Sequence, residues 1–197
     1  SSVSFSAHDI LCDPEGCAGV SGTLTSLAGV LDPSFHGWNY QTFGVWVKDV
    51  SPTSFQVGVI SAGAISPVTA LPLSSGTFIG QAAGWYLDSA GALHGTSADM
   101  SAIADFGNRR IAFSTSQTVV NEVRNDELNL ARTLNYGTGN QFAGPVSTQG
   151  PTLQLTGTAT GRFYGPNAEE IGGVYGLTGG DGSRMLGFNS DAHGFVA

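Results

Sequence analysis

Between Leu155 and Tyr175 the chain spells out a strand, a sharp turn and the opening of a second strand. Alternate positions carry Leu155, Gly157, Ala159, Gly161 and Phe163, and the positions between them carry Thr156, Thr158, Thr160 and Arg162. Successive side chains of a strand point to opposite faces, so this period gives one small apolar face and one polar face. Pro166 removes a ladder donor and fixes its own φ, and Asn167 favours turns, so the strand ends near Gly165. Gly172 and Gly173 then lead into a strand expected over Val174 to Leu177.

The same grammar recurs along the chain. Tyr40 to Lys48 is rich in aromatic and β-branched residues, and Ser54 to Ser61 alternates. Thr77 to Leu87 places Phe78, Gly80, Ala82, Gly84 and Tyr86 on one face, with Ile79 and Trp85 on the other. Asp88-Ser89-Ala90-Gly91 reads as a hairpin turn. Ser97 to Phe106 sets Ala98, Met100, Ala102, Ala104 and Phe106 against Asp99, Ser101, Ile103 and Asp105, and Gly107-Asn108 turns it into Arg109 to Ser116. Val119 to Glu127 shows no alternation and reads as a helical turn or a long loop. Short strands at nearly regular spacing with tight turns predict an all-β fold, an antiparallel up-and-down β-barrel of roughly eight strands. Closure removes exposed strand edges. The small residues on one face fit a narrow barrel interior, and fit a tightly packed sandwich nearly as well.

A resemblance separates the two. Gly161 to Tyr175 reads G-x-F-Y-G-P-x-A-x-E-x-G-G-x-Y, and resembles the barrel signature of the transferrin-binding protein B-like family of Gram-negative surface proteins, with Tyr175 where that family usually has Phe. Tyr40 to Trp46 is similar to the family's Y-x-x-F-G-V-W strand, which begins the barrel. Ala104-Asp105-Phe106-Gly107-Asn108-Arg109 resembles its A-D-F-x-N-R turn, and Leu128 to Leu130 with Asn140 to Gly144 resembles its next meander. The resemblance implies a barrel domain over residues 41–197 and an N-terminal handle or cap over residues 1–40. The family includes lipoprotein partners of transferrin receptors, factor H binders and secreted haem-binding proteins, so it implies architecture more narrowly than ligand.

A chain of 197 residues suits one main domain. Charged residues make up 11%, against roughly 25% in ordinary soluble domains. The net charge is −8 and Lys48 is the only lysine, so the electrostatic footprint for nucleic acid or an anionic membrane is missing. No apolar run approaches the roughly 18 residues of a membrane helix, and residues 1–7 lack the regions of a signal peptide, so a soluble, mature or trimmed chain with no membrane insertion is expected. Cys12 and Cys17 enclose Asp13-Pro14-Glu15-Gly16, a turn-forming sequence able to bring them within bridging distance. A disulfide there implies an oxidising compartment; the alternatives are two free thiols or half a metal site.

Four histidines are the candidates for chemistry: His8, His36, His94 and His193. Neutral imidazole is the commonest metal ligand and a haem-iron ligand. His36 stands in a loop among Phe35, Trp38 and Tyr40, at the expected junction of cap and barrel, where small-molecule sites form. The bland reading is an exposed loop histidine whose aromatic neighbours pack on the cap. His94 lies beside the hairpin turn and is either a second axial ligand or a solvated turn residue. Arg109, Arg110 and Arg124 are the cations available to propionates, and more often serve solvated turns. Glu169-Glu170 is a paired carboxylate whose members point apart on a strand, and no hydrolase, zinc-protease or Walker motif is present. No catalysis is expected. These readings together point to a haem-binding protein, a hemophore, secreted or on the outer-membrane surface of a Gram-negative bacterium. It would hold non-covalent haem b with Phe35, His36, Trp38, Tyr40 and His94 and pass it to an outer-membrane receptor or transporter. The alternative is a surface module that grips a host or partner protein with exposed loops.

Overall fold

The computed structural model describes the backbone of residues 2–13, 16–18, 38–51 and 54–192, and side chains over 38–46 and 56–187. Four strands, β1 (Ser2–Asp13), β2 (Gly16–Ala18), β3 (Gln41–Ser51) and β4 (Ser54–Ala64), form one sheet in the order β2-β1-β4-β3. β1 runs parallel to β4, from Ser2 opposite Ser54 to Cys12 opposite Ala64, and the other pairings are antiparallel. After a 3-10 turn at Val68–Ala70, the chain continues through β5 (Gly76–Leu87), β6 (Leu93–Asp105), β7 (Arg110–Val120), β8 (Val123–Arg124), a second 3-10 turn at Asp126–Leu128, and β9 (Ala131–Tyr136). It ends with β10 (Gln141–Ser147), β11 (Leu155–Tyr164), β12 (Glu170–Gly179) and β13 (Arg184–Ala192). Eight of these close into an antiparallel barrel in which each strand pairs with the next, β13 pairs with β5, and the two-residue β8 hangs on the end of β7.

The expected alternation is what fills the barrel. Phe78, Ala82 and Tyr86 of β5 and Met100, Ala102 and Ala104 of β6 face inward, while Ile79 and Ile103 stay 62% and 51% exposed on the outer wall. Large and small side chains alternate, so the narrow interior packs as a continuous core. Its centre is Phe163, 0% exposed, whose ring centroid lies 5.1 Å from Phe106, 5.5 Å from Tyr136, 5.6 Å from Phe142 and 6.2 Å from Phe78. Burying one such ring stabilises the fold by about 2–3 kcal/mol before packing terms. At one end the linker after β4 is pinned across the barrel: Ser66 N–H donates to the Phe163 carbonyl at 3.0 Å, and the Asn140 amide donates to the Ser66 and Phe163 carbonyls at 2.7 and 3.0 Å.

Three expectations change. The Tyr40–Lys48 strand does not begin the barrel; as β3 it belongs to the four-stranded sheet, and barrel pairing starts with β5 at Gly76 rather than at residue 41. Composition marks a strand, and only its hydrogen-bond partner says which sheet owns it. The stretch from Val119 divides: β7 runs to Val120, Asn121 and Glu122 turn with φ of 47° and 66°, β8 follows, and the Asn125 side chain caps the 3-10 turn by accepting from Glu127 N–H at 3.2 Å. The strand expected over Val174 to Leu177 extends over Glu170–Gly179.

Candidate functional site

The four-stranded sheet lies on the outside of the barrel wall, where a second apolar cluster joins Trp38, Phe43 and Val59 to Val174 of β12 and Leu186 of β13. Trp38 packs edge-on against Phe43, with centroids 4.9 Å apart and planes at 83°. Polar groups close the junction. The Glu170 carboxylate, 0% exposed, accepts from the Asn39 N–H and from the Tyr40 N–H at 3.2 Å. The Gln41 side-chain amide donates to the Ile171 carbonyl at 3.1 Å. A Cβ at Gly172 would lie 2.1 Å from Gln41 Oε1, so glycine is what admits this approach. Gly165 supplies the φ of +89° that turns β11 into β12, and it faces the Tyr40 ring. The Glu-x-Gly-Gly run of the sequence is therefore a docking device for residues 38–41. The sequence showed Glu170 only as half of an acidic pair, because its partners lie about 130 residues earlier.

His94 sits at the opposite end of the barrel, on the β5–β6 hairpin. Asn121 donates its side-chain amide to His94 Nδ1 at 2.7 Å, which leaves Nε2 to donate to Asp88 Oδ2 at 2.9 Å. The imidazole also stacks on Tyr86, with centroids 6.1 Å apart. The hydrogen bond from His94, helped by that from Ala92 N–H, holds Asp88 below the usual aspartate range. Burial pushes the Tyr86 phenol up, with Asp181 and Asp88 adding to it. The arrangement fastens the β5–β6 hairpin to the β7–β8 turn. Both ring nitrogens are hydrogen-bonded within this cluster.

Among the described residues, Trp38 and Tyr40 lie apart from His94. Trp38 and Tyr40 meet the barrel beside Glu170, whereas His94 stands opposite Tyr86, which is in register through Met185 with Leu177, seven residues along β12 from Glu170. At about 3.3 Å per residue the two places are roughly 20 Å apart, beyond the reach of one flat ring system. Trp38 is spent on the packing cluster. Phe35, His36 and His193 lie outside the described residues, as does the side chain of His8. Cys12 and Cys17 stand opposite each other in the β1–β2 pairing, with side chains outside the described residues. Arg109 donates to the Gly137 carbonyl and Arg124 pairs with Asp126 at 2.8 Å, so both serve turns. The glycine-rich segment 176–182 ends in a turn capped by Asp181, which accepts from Ser183 N–H at 3.0 Å and Oγ at 2.6 Å. Among the described residues, no three His, Cys, Asp or Glu side chains converge on a metal position, and no helix is long and apolar enough to cross a membrane.

Among curated proteins none matches the chain. Solved structures do. The chain is similar to a double mutant of transferrin-binding protein B from Haemophilus parasuis Hp5, at TM-score 0.62 and 16% identity, over 79% of this chain and 32% of that one. It is similar to the isotype 1 protein from serogroup B Neisseria meningitidis at TM-score 0.57 and 17% identity, over 79% and 32%. Intact Ap-TbpB, with N and C lobes, matches at TM-score 0.59 and 16% identity over 93% of this chain and 41% of its own length. The chain thus spans about a third of the first and second of these proteins and 41% of the third. The family described as the C-lobe and N-lobe β-barrels of Tf-binding protein B matches residues 74–191, which run from just before β5 to the end of β13. The chain belongs to the family of transferrin-binding protein B lobe barrels.

Proposed function

We propose that this chain is a protein-binding lobe displayed on the surface of a Gram-negative bacterium, which grips a host protein of the transferrin class and performs no catalysis. The observation that carries this reading is the filled barrel. The Phe163 cluster occupies the interior, so a partner is met by the outer wall, the turns and the four-stranded sheet. A rigid barrel carrying a docked sheet offers a large, preorganised surface, which is what protein recognition requires. The match of the chain to one lobe's worth of proteins whose names carry transferrin binding supports the same partner class, and a likeness to a surface lipoprotein, at TM-score 0.50 and 17% identity, supports the location. Delivery of haem to an outer-membrane transporter finds less support, since Trp38 and His94 are committed to structural contacts.

The test is binding of purified host serum transferrin to the immobilised chain, run beside a hemin titration. Saturable transferrin binding with a featureless hemin response is the expected result. A one-equivalent Soret shift without transferrin binding overturns the proposal and restores haem capture.

A further inference from the structure

The four-stranded sheet covers only part of the barrel. Its apolar cluster rests on β12 and β13 and reaches Ala83 of β5, where the sheet ends at β3, its edge strand among the described residues. Beyond that edge no other described residue covers the wall. A groove of about 550 Å³ runs beneath Val45 of β3 and over Ala83, Trp85, Gly95 and Val119, and a neighbouring hollow of about 460 Å³ extends it past Ser97 to Asp99. The wall is low because it is built from small residues, and a Cβ at Gly95 would meet nothing within 4 Å. Gln117, with φ of 55°, lies where the β6–β7 register shifts, and the shift turns Val119 outward to complete the floor. The buried indole N–H of Trp85 has no hydrogen-bond partner among the described residues.

The phase of β3 decides what its edge offers. Ala64 N–H donates to the Tyr40 carbonyl at 2.8 Å, so in the antiparallel ladder that follows Thr42, Gly44 and Trp46 turn their amides toward β4, while the Tyr40 N–H goes to Glu170. Val45 turns its amide to the other edge, above the groove. Charge sets the preferred occupant. Glu122 stands at one end, next to Asn121, whose N–H donates to the Gly95 carbonyl at 3.2 Å, and Asp99 stands at the other. Asp99 is four residues along β6 from Gly95, roughly 13 Å at about 3.3 Å per residue.

We propose that an extended segment of the protein partner, with basic side chains four residues apart, adds as a fifth strand to β3 and covers the β5–β6–β7 wall. Main-chain hydrogen bonds to the Val45 edge supply the affinity, and Glu122 and Asp99 select Lys or Arg over acidic residues. This deepens the protein-partner reading and rests on it.

The probe is the acetylated, amidated peptide Lys-Val-Val-Val-Lys, titrated into the isotope-labelled chain. Saturable shifts of the Val45 amide and the Trp85 indole N–H are expected, with at least tenfold weaker binding of the Glu-Val-Val-Val-Glu counterpart. Probes N-methylated at alternate amides, made in both phases, should lose binding in one phase. Gly95→Leu, which enters open space, should block the groove and leave the fold unchanged. Absence of shifts at those two groups, or equal binding of both N-methylated probes, overturns strand addition. Transferrin capture separates the two levels: equal capture by wild type and Gly95→Leu sinks the groove and keeps the partner reading, whereas peptide binding without transferrin capture sinks the named partner and keeps the groove.

Discussion

Strands β12 and β6 belong to one barrel and live under different conditions. From Glu170 to Tyr175 every residue of β12 is buried, because Ile171 and Tyr175 face the interior while Val174 faces the docked sheet. On β6 the inward Met100, Ala102 and Ala104 are buried, but Gly95, Ser97, Asp99 and Ile103 on the outer wall are exposed. A strand covered on both faces loses the polar half of its alternation, and a strand covered on one keeps it. The Gly-Gly-Val-Tyr-Gly-Leu run of β12 is the imprint of a second layer, and the Ser-Asp-Ser pattern of β6 is the imprint of its absence.

The contrast can be broken from the inside outward. Phe163→Ala removes the ring shared by both halves of the interior and is expected to cost about 3–5 kcal/mol in chemical denaturation, lowering barrel and sheet together. Val174→Asp places a carboxylate beneath the docked sheet and should cost roughly 3 kcal/mol, whereas the matched Ile103→Asp on β6 should stay within about 0.5 kcal/mol. Equal effects of these two would mean that the sheet does not cover the wall in solution. Glu170→Ala strips the acceptor from Asn39 and Tyr40 and should cost about 2 kcal/mol. Hydrogen exchange should quicken selectively over Tyr40 to Trp46 while β10 and β11 keep their protection.

The smallest effect concerns the turns. Hydrogen bonds hold Asp88, Asp105, Asp126, Glu127 and Asp181 below their ordinary carboxylate values, with His94, Asn108, Arg124, Thr152 and Ser183 respectively as the leading donors. The folded chain therefore binds fewer protons than the unfolded one in the acid range. These contacts stabilise above the ordinary carboxylate range, and the contribution is lost as pH falls through the depressed values. Carboxyl carbon titrations should show all five midpoints low. Thr152→Ala should raise the Glu127 midpoint and leave Asp88 where it was.

Period carried most of the barrel into view. β5, β6 and β11 were legible because each has one wet face, and the turn at Asp88 to Gly91 was legible because its residues favour such geometry. β3 was legible as a strand and not as a member of its sheet, since its partner β4 and the outer wall beneath it leave no mark on its own alternation. The parallel pairing of β1 with β4 is non-local and has no local signature. At the site, Trp38 and Tyr40 lie against the barrel wall, and an aromatic packed against a wall and an aromatic lining a ligand look alike in sequence. The sequence around His94 suits a ligand or a turn residue alike, and its hydrogen bonds to Asp88 and Asn121 join residues that no local pattern pairs.

The closure of β13 onto β5 has a consequence for the order of events during folding. Arg184 to Asp191 must find Leu87 to Gly80, about a hundred residues back, whereas most other barrel contacts join neighbours in the chain. Closure is therefore the slow, high-contact-order step. Val174, Leu186 and Ala83, which seat the four-stranded sheet, come from β12, β13 and β5, so the seat spans the seam that closes last. The seat of the sheet is therefore complete only once β13 has paired with β5.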